Sequence, residues 1–165
     1  MTVTVEDRKF TLDFPSRPPA PSDVPRITPD AFQVEPFEVL KSLDYLLVFE
    51  NEDFIRLLKP DQALLNQINL DLGGVIVTAP GREVDFVSRF CAPQARLFED
   101  AVTGSAHCSL IPYWRKRLKK QSMLALQLSP RGGKLMCRDL GDRVHISGEA
   151  VTYREGSITI GFKNE

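Results

Sequence analysis

Cysteine is scarce in this chain, net charge is nearly absent, and no long apolar run occurs. The three cysteines of the 165 residues, Cys91, Cys108 and Cys137, are an odd number without CxxC spacing. That fits free thiols in a reducing compartment better than a disulfide framework, so a cytoplasmic protein is expected. A net charge of −1 provides no electrostatic case for nucleic acid or an anionic membrane as partner. No apolar stretch approaches membrane-spanning length, and nothing at the start reads as a signal peptide. Internal repeats are missing too. What is present is ordinary: 42% hydrophobic and 26% charged residues, enough for one domain with a real core.

Residues 3–14 read as a hairpin, with Val3 and Val5 alternating against Thr4 and Glu6, and Phe10, Leu12 and Phe14 against Thr11 and Asp13. A hairpin this small cannot fold alone, so it must pair with something outside itself. Pro15, Pro18, Pro19, Pro21, Pro25 and Pro29 make residues 16–29 a stiff linker. Thr28-Pro29-Asp30 opens a short or broken helix ending near Leu40. Asp44–Glu50 reads as a buried strand. Glu52–Leu58 reads as a helical turn or two with Phe54, Leu57 and Leu58 on one face, and Pro60–Ile68 as a second short helix with Leu64, Leu65 and Ile68 inward. Strands follow at Val75–Thr78 and Val84–Phe90, where Val84, Phe86 and Phe90 share a face. Past a helix that starts after Gly104 come Met123–Leu128, then a hairpin of Lys134–Arg138 with Arg143–Ser147, then a second of Ala150–Arg154 with Ser157–Phe162. Pro112 should kink the helix, and its many large residues (Ala106, Leu110, Tyr113 or Trp114, Leu118) place it centrally. The expected fold class is α+β, a curved mixed β-sheet wrapped around one central helix. The Arg115–Lys120 run, RKRLKK, reads as a solvated helix C-terminus.

The stretch Phe86–Tyr113 organises the rest. A strand leads through a Pro-containing loop to the acidic pair Glu99 and Asp100, then to the turn Val102-Thr103-Gly104-Ser105 and a helix. The first N–H groups of a helix lack internal partners, and the dipole there favours negative charge. Thr103 or Ser105 could cap the helix, and Gly104 lets the backbone come close to a ligand. Asp100 then lies beside the place where a carboxylate or phosphate would dock. A carboxylate beside an anion is a candidate proton-transfer group.

Five blocks occur in order: SRFCAP at Ser88–Pro93, EDAVTGSAHCSLIPYW at Glu99–Trp114, LSPRGGKL at Leu128–Leu135, RVHISGEA at Arg143–Ala150 and EGSI at Glu155–Ile158. Together they resemble the C-terminal half of the phenazine-biosynthesis PhzF-like family, which shares the diaminopimelate epimerase fold. The resemblance covers residues 74–165 well and reaches back to Leu12–Pro15. It implies a two-lobed parent with its substrate between the lobes, at the facing N-termini of two central helices. On this resemblance Asp100 is the cleft aspartate implicated in proton transfer. Gly104 and Ser105 bind the substrate carboxylate, with Thr103 in the same turn. The implied chemistry is a cofactor-free proton shift on a small carboxylate-bearing metabolite, with no metal. Residues 1–15 are then the last hairpin of an N-terminal lobe, 16–29 the linker, and 30–165 the C-terminal epimerase-like lobe.

The family's N-terminal base lies in an Asn-Leu-Ser-Glu-Thr motif, helped by a Gly-His pair. The sequence holds no Ser-Glu-Thr, and His107 and His145 follow Ala106 and Val144. This chain alone is therefore expected to be inactive. Ala101 stands where proline is usual, Cys91 where an aromatic is common, and Gln94-Ala95-Arg96 where Trp-Val-Gly is usual, which bears on substrate preference. Cys108 beside His107 lacks a third ligand at metal-binding spacing, and GSAH lacks the frame of a nucleophile elbow. Cys137 and His145 read as hairpin residues. Two hypotheses follow. One is an isomerase lobe that needs a complementary N-terminal lobe. The other is a non-catalytic carboxylate-binding or self-associating module, for instance an isologous homodimer with two Asp100 turns facing.

Overall fold

The computed structural model describes residues 2–6, 8–23, 25, 27–68, 70, 73–95 and 98–159. Its β-branched and alternating segments become β1 (Thr2–Glu6), β2 (Lys9–Pro15), β3 (Ala20–Pro21), β4 (Glu38–Lys41), β5 (Tyr45–Val48), β6 (Val75–Pro80), β7 (Phe86–Cys91), β8 (Ser122–Gln127), β9 (Gly133–Asp139) and β10 (Arg143–Glu149). They form one ten-stranded mixed sheet in the order β1-β2-β10-β9-β8-β7-β6-β5-β4-β3. The helices are α1 (Ile27–Phe32), α2 (Glu52–Leu57), α3 (Gln62–Leu65) and α4 (Gly104–Leu118). No described helix is long and apolar enough to cross a membrane.

Two strand pairs are parallel, β5 with β6 and β7 with β8, so each needs a crossover. The first crossover carries α2 and α3, the second α4. Both step the same way across the sheet, but β7 runs antiparallel to β6. Right-handed crossovers from oppositely directed strands fall on opposite faces. The core shows this division. Leu46, Val48, Ile76, Phe86 and Phe90 pack with α4, whereas Leu47, Val75, Val77, Val87 and Cys91 pack with the side of α1, α2 and α3. The expectation of a sheet around one helix thus omits a second apolar layer, formed by helices too short to read as a layer one at a time.

Pro112 lies inside α4 and has no N–H for the Cys108 carbonyl. That carbonyl instead accepts from the Arg17 N–H at 2.9 Å, which fastens the proline-rich stretch to the helix. Ser16 and Ser22 donate their backbone N–H groups to Asp142 and Val39 in the same way. The stretch is stitched down, with β3 inside it and α1 starting at Ile27. The hairpin finds its outside partner in β10, which pairs with β2 from Arg143↔Pro15 to Glu149↔Lys9.

Several local expectations are corrected. The helix entering at Thr28 ends at Phe32, because Gln33 takes a left-handed φ of 57° and Pro36 follows; residues 38–41 are the strand β4. In α2 the buried residues are Glu52 and Ile55, while Leu57 is 76% exposed; the strand below, not the tally of large residues, selects the face. Pro60 precedes the Asp61 cap of α3 rather than entering its first turn. Val84 packs with the α1–α3 side, opposite Phe86 and Phe90, because it lies in the bend before β7. No strand forms among residues 150–159: Val151, Tyr153 and Ile158 are exposed, and β2 already occupies the free edge of β10. The remainder of the expected last strand, 160–162, lies outside the described residues. The cations after Trp114 are solvated or paired, Lys120 with Asp85 at 2.5 Å and Arg117 with Glu38 at 3.6 Å.

Candidate functional site

The loop from β7 to α4 is anchored first at Glu99. Alternation along β7 sends Arg89 to the α1–α3 face, where its guanidinium meets both Glu99 carboxylate oxygens at 2.7 and 2.9 Å. The same guanidinium donates to the Ile55 and Leu58 carbonyls, which would otherwise end α2 unpaired. Glu99 is therefore a structural carboxylate. Its neighbour Asp100 donates its N–H to Phe90 O and turns the other way, into a cavity of about 540 Å³.

Asp100, Thr103 and Ser105 line that cavity together with Asp44, Gly73 and Phe90. Gly104 borders a second cavity, of about 730 Å³, on the side of Phe10, Arg131 and Lys134. The turn thus separates two hollows, and three of the four expected residues share one of them. Thr103 is the N-cap by backbone, yet its side chain makes no cap bond. Its hydroxyl is 2.7 Å from Asp100 Oδ2. The opening N–H groups of α4 are left without a side-chain cap, the arrangement that accepts an anion. Gly133 permits this turn to close: a Cβ there would sit 2.4 Å from a Val102 methyl carbon.

Two residues of the site were not singled out from sequence. Gln127, on β8, is buried and braces the turn: Thr103 N–H donates to its Oε1 at 2.9 Å, and its Nε2 donates to Asp100 O at 3.0 Å and Thr103 Oγ1 at 3.1 Å. The signal was a polar residue at the inward register of Met123 and Ala125. Asp44 is only 4% exposed and accepts the Gly74 N–H at 2.8 Å. Burial pushes its carboxyl above the ordinary range, against the Gly74 hydrogen bond and the nearby Arg17 charge. A charge heading a buried strand was the clue.

The nucleophile candidates fare differently. Cys91 and Cys137 are buried, and burial raises both thiols to about 12; burial also raises Cys108. His107 is completely buried and pushed down to about 4. Its Nδ1–H donates to Thr103 O at 2.8 Å, so it is a helix-locking side chain rather than a partner for Ser105. Among the described residues no group of three or more His, Cys, Asp or Glu is placed to hold a metal ion.

Comparison with known proteins places these features in a family. The sequence model of the family described as phenazine biosynthesis-like protein matches residues 32–156. An uncharacterized isomerase of Pseudomonas aeruginosa is 48% identical over 161 residues, covering 97% of this chain and 61% of the relative. An uncharacterized isomerase of Halalkalibacterium halodurans is 40% identical over 164 residues, with 97% and 61% covered. The crystal structure of a PhzF-family phenazine biosynthesis protein from Enterococcus faecalis superposes with a TM-score of 0.88 at 39% identity, covering 96% of this chain and 60% of that one. The similarity runs through nearly the whole chain rather than mainly through residues 74–165. The chain spans about 60% of the length of these relatives.

Proposed function

The chain belongs to the phenazine biosynthesis-like family, and we propose that it is the C-terminal lobe of an isomerase that shifts a carbon-bound proton on a small carboxylate-bearing metabolite without a cofactor. Relatives bearing the name isomerase favour this class of reaction. The observation that carries it is the shared cavity: the Asp100 carboxylate faces the same space as Ser105 and the uncapped start of α4. In this reading the substrate carboxylate docks on the N–H groups of Gly104 and Ser105 and the Ser105 hydroxyl, while Asp100 exchanges the proton. The curved sheet around α4 is one lobe, residues 1–15 are the final hairpin of the other, and the principal base comes from that other lobe in the cytoplasm.

The test is complementation. The portion of the Pseudomonas aeruginosa relative that this chain does not span is expressed separately and mixed with the chain in D2O, with a panel of small carboxylic acids. Deuterium incorporation at carbon is expected, to be abolished by Asp100→Asn and weakened through KM by Ser105→Ala. A mixture that forms a complex yet incorporates no deuterium into any acid overturns the reading.

A second reading, self-association without catalysis, is favoured by one feature. β1 is an edge strand, and Val3 and Val5 on it are exposed. Sedimentation at micromolar concentration decides it: a dimer supports this reading, and a monomer removes it.

A further inference from the structure

The hydrogen bonds around Asp100 have a direction that the chemistry of the partners imposes. A backbone N–H can only donate, so the Gln127 side-chain atom facing Thr103 N must be the carbonyl oxygen. A backbone carbonyl can only accept, so the atom facing Asp100 O must be the amide nitrogen. The orientation of the Gln127 amide follows without ambiguity. Its nitrogen then also donates to Thr103 Oγ1 at 3.1 Å. Thr103 Oγ1 accepts there, which leaves its own proton to be given to Asp100 Oδ2 at 2.7 Å. Among the described residues no hydrogen bond reaches Asp100 Oδ1, and Asp100 lines the cavity. Gln127 is itself 1% exposed, so water does not compete for these bonds.

We propose that Gln127 is a positioning residue that, through the Thr103 hydroxyl, commits Asp100 Oδ2 to accepting a hydrogen bond and makes Oδ1 the oxygen that carries the exchanged proton. The inference rests on the proton-shift reading of the cavity. The base of the other lobe takes the proton from substrate carbon and leaves the electron pair on the substrate. That pair then takes a proton from Oδ1 at its new position, which leaves Asp100 a carboxylate. In the reverse direction that new C–H bond breaks, its electron pair stays on the substrate and the proton adds back to Oδ1. Thr103 holds one carboxylate oxygen throughout, which fixes the plane of the carboxylate and leaves the other oxygen toward the cavity. The same wiring explains why the N-cap threonine leaves the helix uncapped: its hydroxyl is committed to Asp100.

The test uses the 165-residue chain with ¹³C-labelled carboxyl groups. The Asp100 resonance is identified by its loss in Asp100→Asn. Thr103→Val removes the hydroxyl. Gln127→Glu keeps the shape and the acceptor for Thr103 N–H but replaces the amide donor by a second acceptor, which takes the hydroxyl proton away from Asp100. Each is expected to shift the Asp100 resonance, and the double variant to shift it no further than Thr103→Val alone, because Gln127 acts through Thr103. Thr103→Ser restores the original position. Ser129→Ala, which removes a different brace on the same loop (the bond from Ser129 Oγ to Ala101 O), leaves the resonance in place. In the complemented enzyme both substitutions should lower kcat about tenfold with KM unchanged, the size of one charge-assisted hydrogen bond. An Asp100 resonance unmoved by Gln127→Glu, or moved additively in the double variant, overturns the wiring. If Gln127→Glu does not fold, Thr103→Val and Thr103→Ser decide alone: no shift on losing the hydroxyl overturns it. A responsive resonance with no proton exchange in any complemented pair upholds the wiring and removes only the isomerase reading.

Discussion

On the sheet face covered by α1, α2 and α3, the Glu99 carboxylate is closed in by Arg89, with side chains 13% and 11% exposed. On the face covered by α4, Asp100, its neighbour in sequence, keeps an oxygen toward a cavity. One residue step along an extended chain reverses the face. The side with many short helices uses its carboxylate to tie a loop to α2. The side with one long helix leaves its carboxylate beside an uncapped helix start. Adjacent acids of one chemical kind are thereby divided into a brace and a carboxylate that faces a cavity, and the division is made by what lies across from each.

The largest effect that would break this contrast is on stability. Glu99→Ala strands a buried guanidinium and should cost about 3–5 kcal/mol, whereas Asp100→Asn should cost less than about 1 kcal/mol. Urea denaturation of the two variants measures the difference, and similar losses would show the two carboxylates to be alike. Next in size is the face of α2. Ile55→Ala should cost about 2–4 kcal/mol and Leu57→Ala under about 0.5 kcal/mol, by the same measurement, since only Ile55 is enclosed. The smallest effect sharpens the α4 side. His107 is held neutral down to about 4 in the folded chain, while in the unfolded chain it charges at its ordinary value of 6.5. Between those values the unfolded state binds the extra proton. Its contribution is therefore fully present above 6.5 and is lost as pH falls toward 4. Over the first pH unit below 6.5 the loss should be about 1 kcal/mol. It should vanish from the pH profile of His107→Gln; a profile of unchanged slope in that variant would assign the proton elsewhere.

Much of the candidate site was legible beforehand. Thr103-Gly104-Ser105 before an apolar helix announces a helix start, and Asp100 lies a fixed short distance ahead of it, so local chemistry places three residues on one cavity. Gln127 and Asp44 were not legible as members, because each is separated in sequence from the turn and reaches it only through the sheet. The split between Glu99 and Asp100 was hidden for the same reason: its cause is Arg89 on a strand and two carbonyls at the end of α2. The last hairpin was expected from alternation that is real, yet the edge of β10 that residues 150–159 would join is already held by β2.

By itself the sequence determined most of the longer strand segments, the turn at 102–105 and the long helix behind it, since periodicity, glycine and proline act through neighbouring residues and need nothing distant. It also determined the family, because ordered blocks of side chains survive in one dimension. Only the tertiary structure decided which faces are buried and which carboxylate is free. It alone decided that a carbonyl left open by Pro112 is taken by Arg17. Those outcomes depend on the opposite-face crossovers, on which partner lies across the sheet, and on which buried donors and acceptors must be satisfied there.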